Sequence, residues 1–410
     1  MPSFAIPLSG LNADSTALNT IANNLANMNT TGYKNQVTSF SSMLSQVVGG
    51  SGSGNPIQVG TGVQVAGNST DFSTGNITAT GAVYSDAAIN GKGFFVLNNG
   101  MGGQFVTRDG NFFVAKDGTL ESSDGLAVMG YNAVNGVVNA SGAVSNIVIP
   151  IGQTMAAKAS SSFSVGQNLQ AGSTSPATST VTLYDSLGNA QTATITYTPS
   201  ATANQWTYNI TLDDSAATVT GGSGTLAFDT NGNLISGAPT SVSAISISGL
   251  SDNAGAMNLT WDITGANGQG AITQNATASS QSSQNQDGYV AGEYGGTFSI
   301  ASDGTITAKY SNGQVQTLGQ IAVATVNNEQ GLSSVGNSEY ETTAASGNLS
   351  IGVAGTGGRG DIAGGELEAS NVNISAEFSN LIIAQRAFEA NSKAVTAFDT
   401  VTQETINMIH

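Results

Sequence analysis

Few residues in this chain carry side chains that could do chemistry, and each is quickly tested. Histidine occurs once, as His410, the final residue given. A Ser-His-Asp triad needs its imidazole held by a second residue inside a cleft, so His410 is a poor candidate base. Cysteine is absent, which excludes disulfides and thiolate metal sites. "GTGGRG", Gly355 to Gly360, satisfies G-x-G-x-x-G. That motif binds a dinucleotide only with a strand before it, a helix opening on it and an acid about twenty residues on. Here "DIAGGELEAS" follows, with two more glycines before any helix can start, so a flexible crossing is the better reading. Arg359-Gly360-Asp361 spells RGD without a presenting loop, and Asn209-Ile-Thr211 is a chance N-x-T in an Asn- and Thr-rich chain. "DTNGN", Asp229 to Asn233, lacks the later carboxylates of a calcium loop, and Asn231-Gly232 reads as a hairpin. The residues describe no enzyme, and no cofactor or metal site is expected.

The composition points the same way. Lys and Arg together number 9 against 26 Asp and Glu, for a net charge of −17 and a pI near 4.1. Such a polyanion repels nucleic acid and anionic lipid, so neither is an expected partner. Only 9% of residues are charged, while Gly stands at 53 and Pro at 7. No apolar run approaches the eighteen or so residues of a membrane span, so membrane insertion is not expected. "MPSFAIPLSG" lacks a basic n-region and is broken by Pro7 and Gly10, so it does not read as a cleaved secretory signal. The expectation is a soluble cytosolic protein or one exported without a cleaved signal.

The elements that must position whatever this chain does are helical at both ends and β between. Phe4, Leu11, Leu18 and Leu25 recur every seven residues, with Ile21 and Met28 three further on. Ile374, Leu381, Phe388, Val395 and Ile409 form a second seven-residue series, with Phe378 and Ile406 at the companion position. These imperfect coiled-coil patterns predict two helices that pair, the second running about 54 Å if unbroken from Ile374 to Ile409. The first is unusual: Asn19, Asn23, Asn24, Asn27 and Asn29 crowd a stretch without a charge from Ser15 to Tyr33. Each Asn costs roughly half a kcal/mol in a helix interior relative to Ala. Ordinary exposed helices use Glu, Lys and Arg there, so this helix asks for surroundings that suit a polar but uncharged face.

Residues 35–75, with "VVGGSGSGNP", and 356–369 read as linkers. Residues 76–145 and 284–355 carry short apolar runs punctuated by Asp109-Gly110, Asp117-Gly118, Asp124-Gly125, Asp303-Gly304 and Asn312-Gly313, which predict hairpins. Between them, 146–283 has its own strands, "QWTYNITL" and "MNLTWDI", alternating as half-buried antiparallel strands do. The predicted fold is mainly β with terminal α-helices. A helical, coiled-coil-like domain (1–34 and 370–410) is made by the two ends. An inner β domain (76–145 and 284–355) receives an inserted outer β domain (146–283).

The terminal stretches carry a resemblance. "LSGLNADSTALNTIANNLANMNTTGYK", Leu8 to Lys34, resembles the N-terminal signature of the bacterial flagellar rod and hook family, its core being Asn23-Asn24-Leu25-Ala26-Asn27, Asn29-Thr30 and Gly32-Tyr33-Lys34. "EANSKAVTAFDTVTQETINMI", Glu389 to Ile409, is similar to the family's C-terminal segment. "GKGFFVL", "VTRDGNF" and "MGYN" resemble its shared β domain, and "VTLYDSLGN", Val181 to Asn189, the outer domain of its hook members. The resemblance implies a structural subunit that polymerises into a curved tube, the universal joint between rotary motor and filament. It implies export, unfolded, through the flagellar type III apparatus to the outside of the cell. The implied partners are other copies of itself, the distal rod, the hook cap, the hook–filament junction proteins and the export apparatus. Leu11, Leu18, Ile21, Leu25, Met28, Ile374, Phe378, Leu381, Phe388, Val395 and Ile406 are the expected subunit-packing residues. A secreted adhesin or carbohydrate-binding module is the alternative, but it needs no heptads at both ends.

Overall fold

A computed structural model describes residues 4–50, 56–81, 84–235, 241–265 and 271–409. The tip of the expected "VVGGSGSGNP" linker and His410 lie outside these. The chain is mainly β with one long helix near each end, as the hydrophobic periods require. Helix α1 spans Ala5–Ala26 and α2 spans Ile374–Ile409 without a break, the full length expected. Asn373 caps α2, its side-chain oxygen accepting the Ala376 amide at 3.1 Å, and Glu377 in the first turn faces the positive end of the helix dipole.

Two compact units divide the rest: residues 1–151, 296–308 and 315–410 form one, 152–295 and 309–314 the other. The first unit holds both helices. Its sheet centres on strand Val315–Thr325, which pairs with Ala127–Val134, Phe94–Asn98 and Ser350–Val353, all antiparallel. Phe94, Val96, Val106, Met129, Ala324 and Tyr340 form a core there, with Phe72 edge-on to Phe94 and Tyr340.

Both stretches expected as linkers are largely strand. β1 (Gln36–Ser42) pairs with β4 (Val63–Thr70), and β2 (Ser45–Gly50) pairs with β3 (Pro56–Gly60). On the C-terminal side Asp361–Gly364 pairs with Ala87–Asn90, and Glu366–Glu368 with Ile77–Ala79. Ser- and Gly-rich composition lowers strand propensity, but a ladder satisfies backbone groups whatever the side chains are. Gly118, Gly125, Gly304 and Gly313 take the positive φ of turn residues. Asp109-Gly110 makes no such turn: the Gly110 carbonyl accepts the Ala87 amide at 3.0 Å, holding two segments together.

In the second unit a four-stranded antiparallel sheet (Ala177–Tyr184, Ala190–Pro199, Gln205–Leu212, Ser223–Ala227) lies over a sheet built around Ser162–Gln170. Trp206, Tyr208 and Ile210 are buried, as their alternation requires, and so are Met257, Leu259, Trp261 and Ile263. Met257–Asp262 is not purely antiparallel: it pairs antiparallel with Ser241–Ser248 and parallel with Ser162–Gln170. Alternation reports burial of one face and is blind to strand direction. Trp261 closes this core, stacked on Phe163 with centroids 5.8 Å apart and met edge-on by Tyr208 at 5.1 Å.

Candidate assembly site at the chain ends

α1 and α2 pack antiparallel. Phe4 meets Phe398 at 6.1 Å between centroids, Asn391 donates to Asp14 Oδ2 at 2.8 Å, and Asn24 approaches Glu377 Oε2 at 3.5 Å. The surfaces used are unexpected. α1 buries Pro7, Gly10, Ala13, Thr20 and Asn24, and the α2 face towards it carries Glu377, Ala384, Asn391 and Phe398, a seven-residue series three positions away from the predicted one. Small residues allow the close approach: a Cβ on Gly10 would stand 2.6 Å from Asn391 Nδ2.

The large apolar side chains of the predicted stripes lie elsewhere. Leu11, Leu18, Ile21, Leu25, Leu381 and Val395 are half-buried. Met28, Ile374, Phe378 (53% exposed), Phe388 (38%) and Ile406 (54%) face outward. Ile383, 66% exposed, joins them and rims a groove of about 310 Å³ with Ile21, Val37 and Phe40. A helix buries one face against a single partner, and here the small face has taken that role. Among the described residues the bulky face is covered only in part, and its exposed portion, most of it on α2, is an arrangement suited to binding.

The signature residues Asn23 to Lys34 converge where α1 turns into β1. Asn24 pairs with the Gln36 backbone in both senses, donating to its carbonyl at 2.8 Å and accepting its amide at 3.0 Å. The Tyr33 hydroxyl donates to Asn24 Oδ1 and accepts from Asn23 Nδ2, each at 3.1 Å; burial, then Glu377, raises its pKa. Asn27 folds back on the Asn23 carbonyl at 2.9 Å, while Asn29 is exposed. Gly32 has φ +66°, and a Cβ there would stand 2.5 Å from the Asp109 amide nitrogen, so no other residue fits unstrained.

Beneath this turn Lys34 is buried with its ammonium 2.5 Å from Glu368 Oε1 and 2.7 Å from the Ser73 carbonyl. Arg108, equally buried, reaches Glu368 Oε2 at 3.1 Å and the Ile89 and Gly91 carbonyls at 3.2 and 2.6 Å, over the Phe94 ring. The Gly75 amide donates to Glu368 Oε1 at 2.7 Å, and the Gly32 amide to the Glu368 carbonyl at 2.8 Å. Desolvation lowers the pKa of both cations, and the Glu368 charge works against that. Glu368 and Arg108 were not singled out from the sequence because nothing local marks a charge as buried; the signal on hand was that Arg108 lies within "VTRDGNF".

The other candidates separate. Arg359 folds back on the Thr356 carbonyl (2.9 Å) and Ser350 Oγ (3.3 Å), so RGD is not presented. Asp229 Oδ1 accepts the Asn231 and Asn233 amides at 2.8 and 2.9 Å, which is turn chemistry.

Four family models match the chain: "Flagella basal body rod protein" over residues 6–34, "Flagellar hook protein FlgE/F/G D1 domain" over 88–168, "Flagellar basal body protein FlaE D2 domain" over 152–289, and "Flagellar basal body rod FlgEFG protein C-terminal" over 363–408. The flagellar hook protein FlgE of Salmonella typhimurium is 36% identical over a 425-residue alignment covering 99% of this chain and all of that one. That of Escherichia coli K12 is 34% identical, covering 99% of each, and that of Treponema pallidum 32% identical, covering 100% of this chain and 99% of its own. The crystal structure of Helicobacter pylori flagellar hook protein FlgE2 matches in fold, with a TM-score of 0.51 at 15% identity over 72% of this chain and all of that one.

Proposed function

Because the chain belongs to the flagellar hook protein family, whose members are structural subunits of the flagellum, we propose that it self-assembles into a curved helical tube serving as universal joint between rod and filament. In this reading the chain is exported unfolded by the flagellar type III apparatus and assembles outside the cell. It meets the distal rod, the hook cap and the hook–filament junction proteins at the ends of its tube.

The observation that carries assembly is the uncovered apolar face of the helix pair, with Phe378, Phe388, Ile383 and Ile406 in water. Burying one such side chain contributes about 1.5–3 kcal/mol, and among the described residues none covers them. The β1–β4 and β2–β3 ribbons point the same way. Two-stranded ribbons are marginal alone, and these leave Phe40, Leu44 and Val48 exposed. The surrounding Asn and Thr exchange hydrogen bonds with neighbours without the several kcal/mol cost of a buried unpaired charge.

Electron microscopy of the purified full chain at rising concentration tests the proposal. Tubes of uniform width are expected above a threshold concentration. Dispersed particles at every concentration and salt would refute it, and glycan binding by those particles would favour the adhesin.

A further inference from the structure

The buried charges at the junction form a group with uneven parts. Arg108, the Gly75 amide and Glu368 all belong to strands of the first unit or the turns beside them, and they hold the carboxylate at both oxygens without help from the helices. Lys34 alone comes from the segment that follows α1. Two cations face one carboxylate, and the surplus positive charge rests on the Ser73, Ile89 and Gly91 carbonyls. Glu368 also lies five residues before the Asn373 cap of α2. One residue therefore touches the exit of the first helix and the entry to the second.

We propose that Glu368 is a positioning residue for assembly: a carboxylate held ready by Arg108 and Gly75, on which Lys34 docks to fix the register in which both helices leave the β unit. The ammonium is the right plug because it offers three donors on a slim apolar stem, and two are used, on Glu368 Oε1 and the Ser73 carbonyl. When Lys34 docks, the Gly32 amide reaches the Glu368 carbonyl, and Asn371 ties the far side by accepting the Asn35 amide at 2.7 Å. The segment that follows the N-terminal helix is thus tied to the C-terminal strand that pairs with Ile77–Ala79. Its consequence for tubes rests on the assembly reading above; the docking itself does not.

The test uses the full chain and three variants: Lys34→Met, Glu368→Gln and the two combined. Hydrogen exchange at the Gly32 and Gly75 amides reads the docking, and the critical concentration for tubes reads its consequence. Lys34→Met leaves a matched Arg108–Glu368 pair, so the Gly75 amide and the strand amides of Val315–Thr325 should keep their protection. The Gly32 amide should lose roughly ten- to a hundredfold, the weight of one buried charged hydrogen bond, and the critical concentration should rise. Glu368→Gln leaves two buried cations without a counter-charge and should expose both amides. Adding Lys34→Met to it removes one of those cations and should restore part of the Gly75 protection, a rescue that lost packing cannot give. A protected Gly32 amide in Lys34→Met, an unprotected one in the wild type, or losses that simply add in the double variant would overturn the proposal. If the wild type forms no tubes, the assembly reading falls while exchange still decides the docking. If Lys34→Met exchanges and assembles as the wild type does, the docking falls and the assembly reading stands.

Discussion

The second β unit and the helix pair solve opposite problems with the same kinds of residue. In the second unit the bulky side chains are inside: Trp261, Tyr197, Ile195 and Leu183 have no exposed surface, and the polar residues alternate outward. In the helix pair the small and polar residues are inside, and Phe378, Ile383 and Ile406 stand in water. A core that buries its own aromatics is complete as one chain. A pair that uses Gly10 and Ala384 in its internal contact leaves Phe378, Ile383 and Ile406 exposed. The lesson is that a heptad marks an apolar face without saying whether its own chain buries it.

The comparison breaks most sharply under charge. Leu25→Asp or Phe388→Asp should raise the critical concentration for tubes by orders of magnitude, since a carboxylate buried without a partner costs several kcal/mol at every repeated contact. Neither should move the thermal transition of the β units. Met101→Asp is the control: Met101 is 92% exposed and on a loop, so its replacement should assemble normally. Normal tubes from both helix variants would show that the exposed stripe is not the seam.

Trp261→Ala asks the converse. Emptying that site should destabilise the second unit by about 3–5 kcal/mol, seen as an early calorimetric transition, with the helical far-UV signal intact. Loss of helix at the same temperature would mean the two regions are not independent. Deleting residues 152–295, the bulk of the second unit, takes the contrast further. The remainder should still form polymers, thinner and with altered or absent supercoil; a folded deletion variant that never polymerises would reverse the assigned roles.

The smallest effect is one of pH, and it belongs to the first unit. Burial, opposed by the Asn111 amide, pushes Asp109 up to about 6; burial, with Asp124 and Asp109, pushes Glu339 up to about 7. Both carboxyls hold protons in the folded state that the unfolded chain has already lost. Stability should therefore fall as pH rises from about 4 to about 7, by about 2 kcal/mol in all once screening by nearby water is allowed for. Thermal melts across that range check the sign, and Asp109→Asn with Glu339→Gln should flatten the profile. The second unit should not share it.

Much of this molecule was legible as a string of residues. The period of 3.5 gave both helices, and α2 begins and ends where its pattern does, because an amphipathic stripe 36 residues long has few other uses. Alternation marked Trp206, Tyr208, Met257 and Trp261 as buried, since period two leaves a strand no choice about which residues share a face. The uncharged, Asn-rich end of α1 was visible as an anomaly.

Tertiary structure alone decided the rest. It chose for the internal contact a face of α1 with Gly10 and Ala13 and a face of α2 three positions from the predicted one, because Gly10 lets Asn391 approach where a leucine would hold the helices apart. It turned supposed linkers into β1–β4, because a ladder partner distant in sequence satisfied their backbones. It also brought Lys34, Arg108 and Glu368 together across a separation of up to 334 residues. Sequence periodicity is a local property and fixes which atoms can share a face. Which of two faces is used, and which charge meets which, depends on distances between segments that no local pattern encodes.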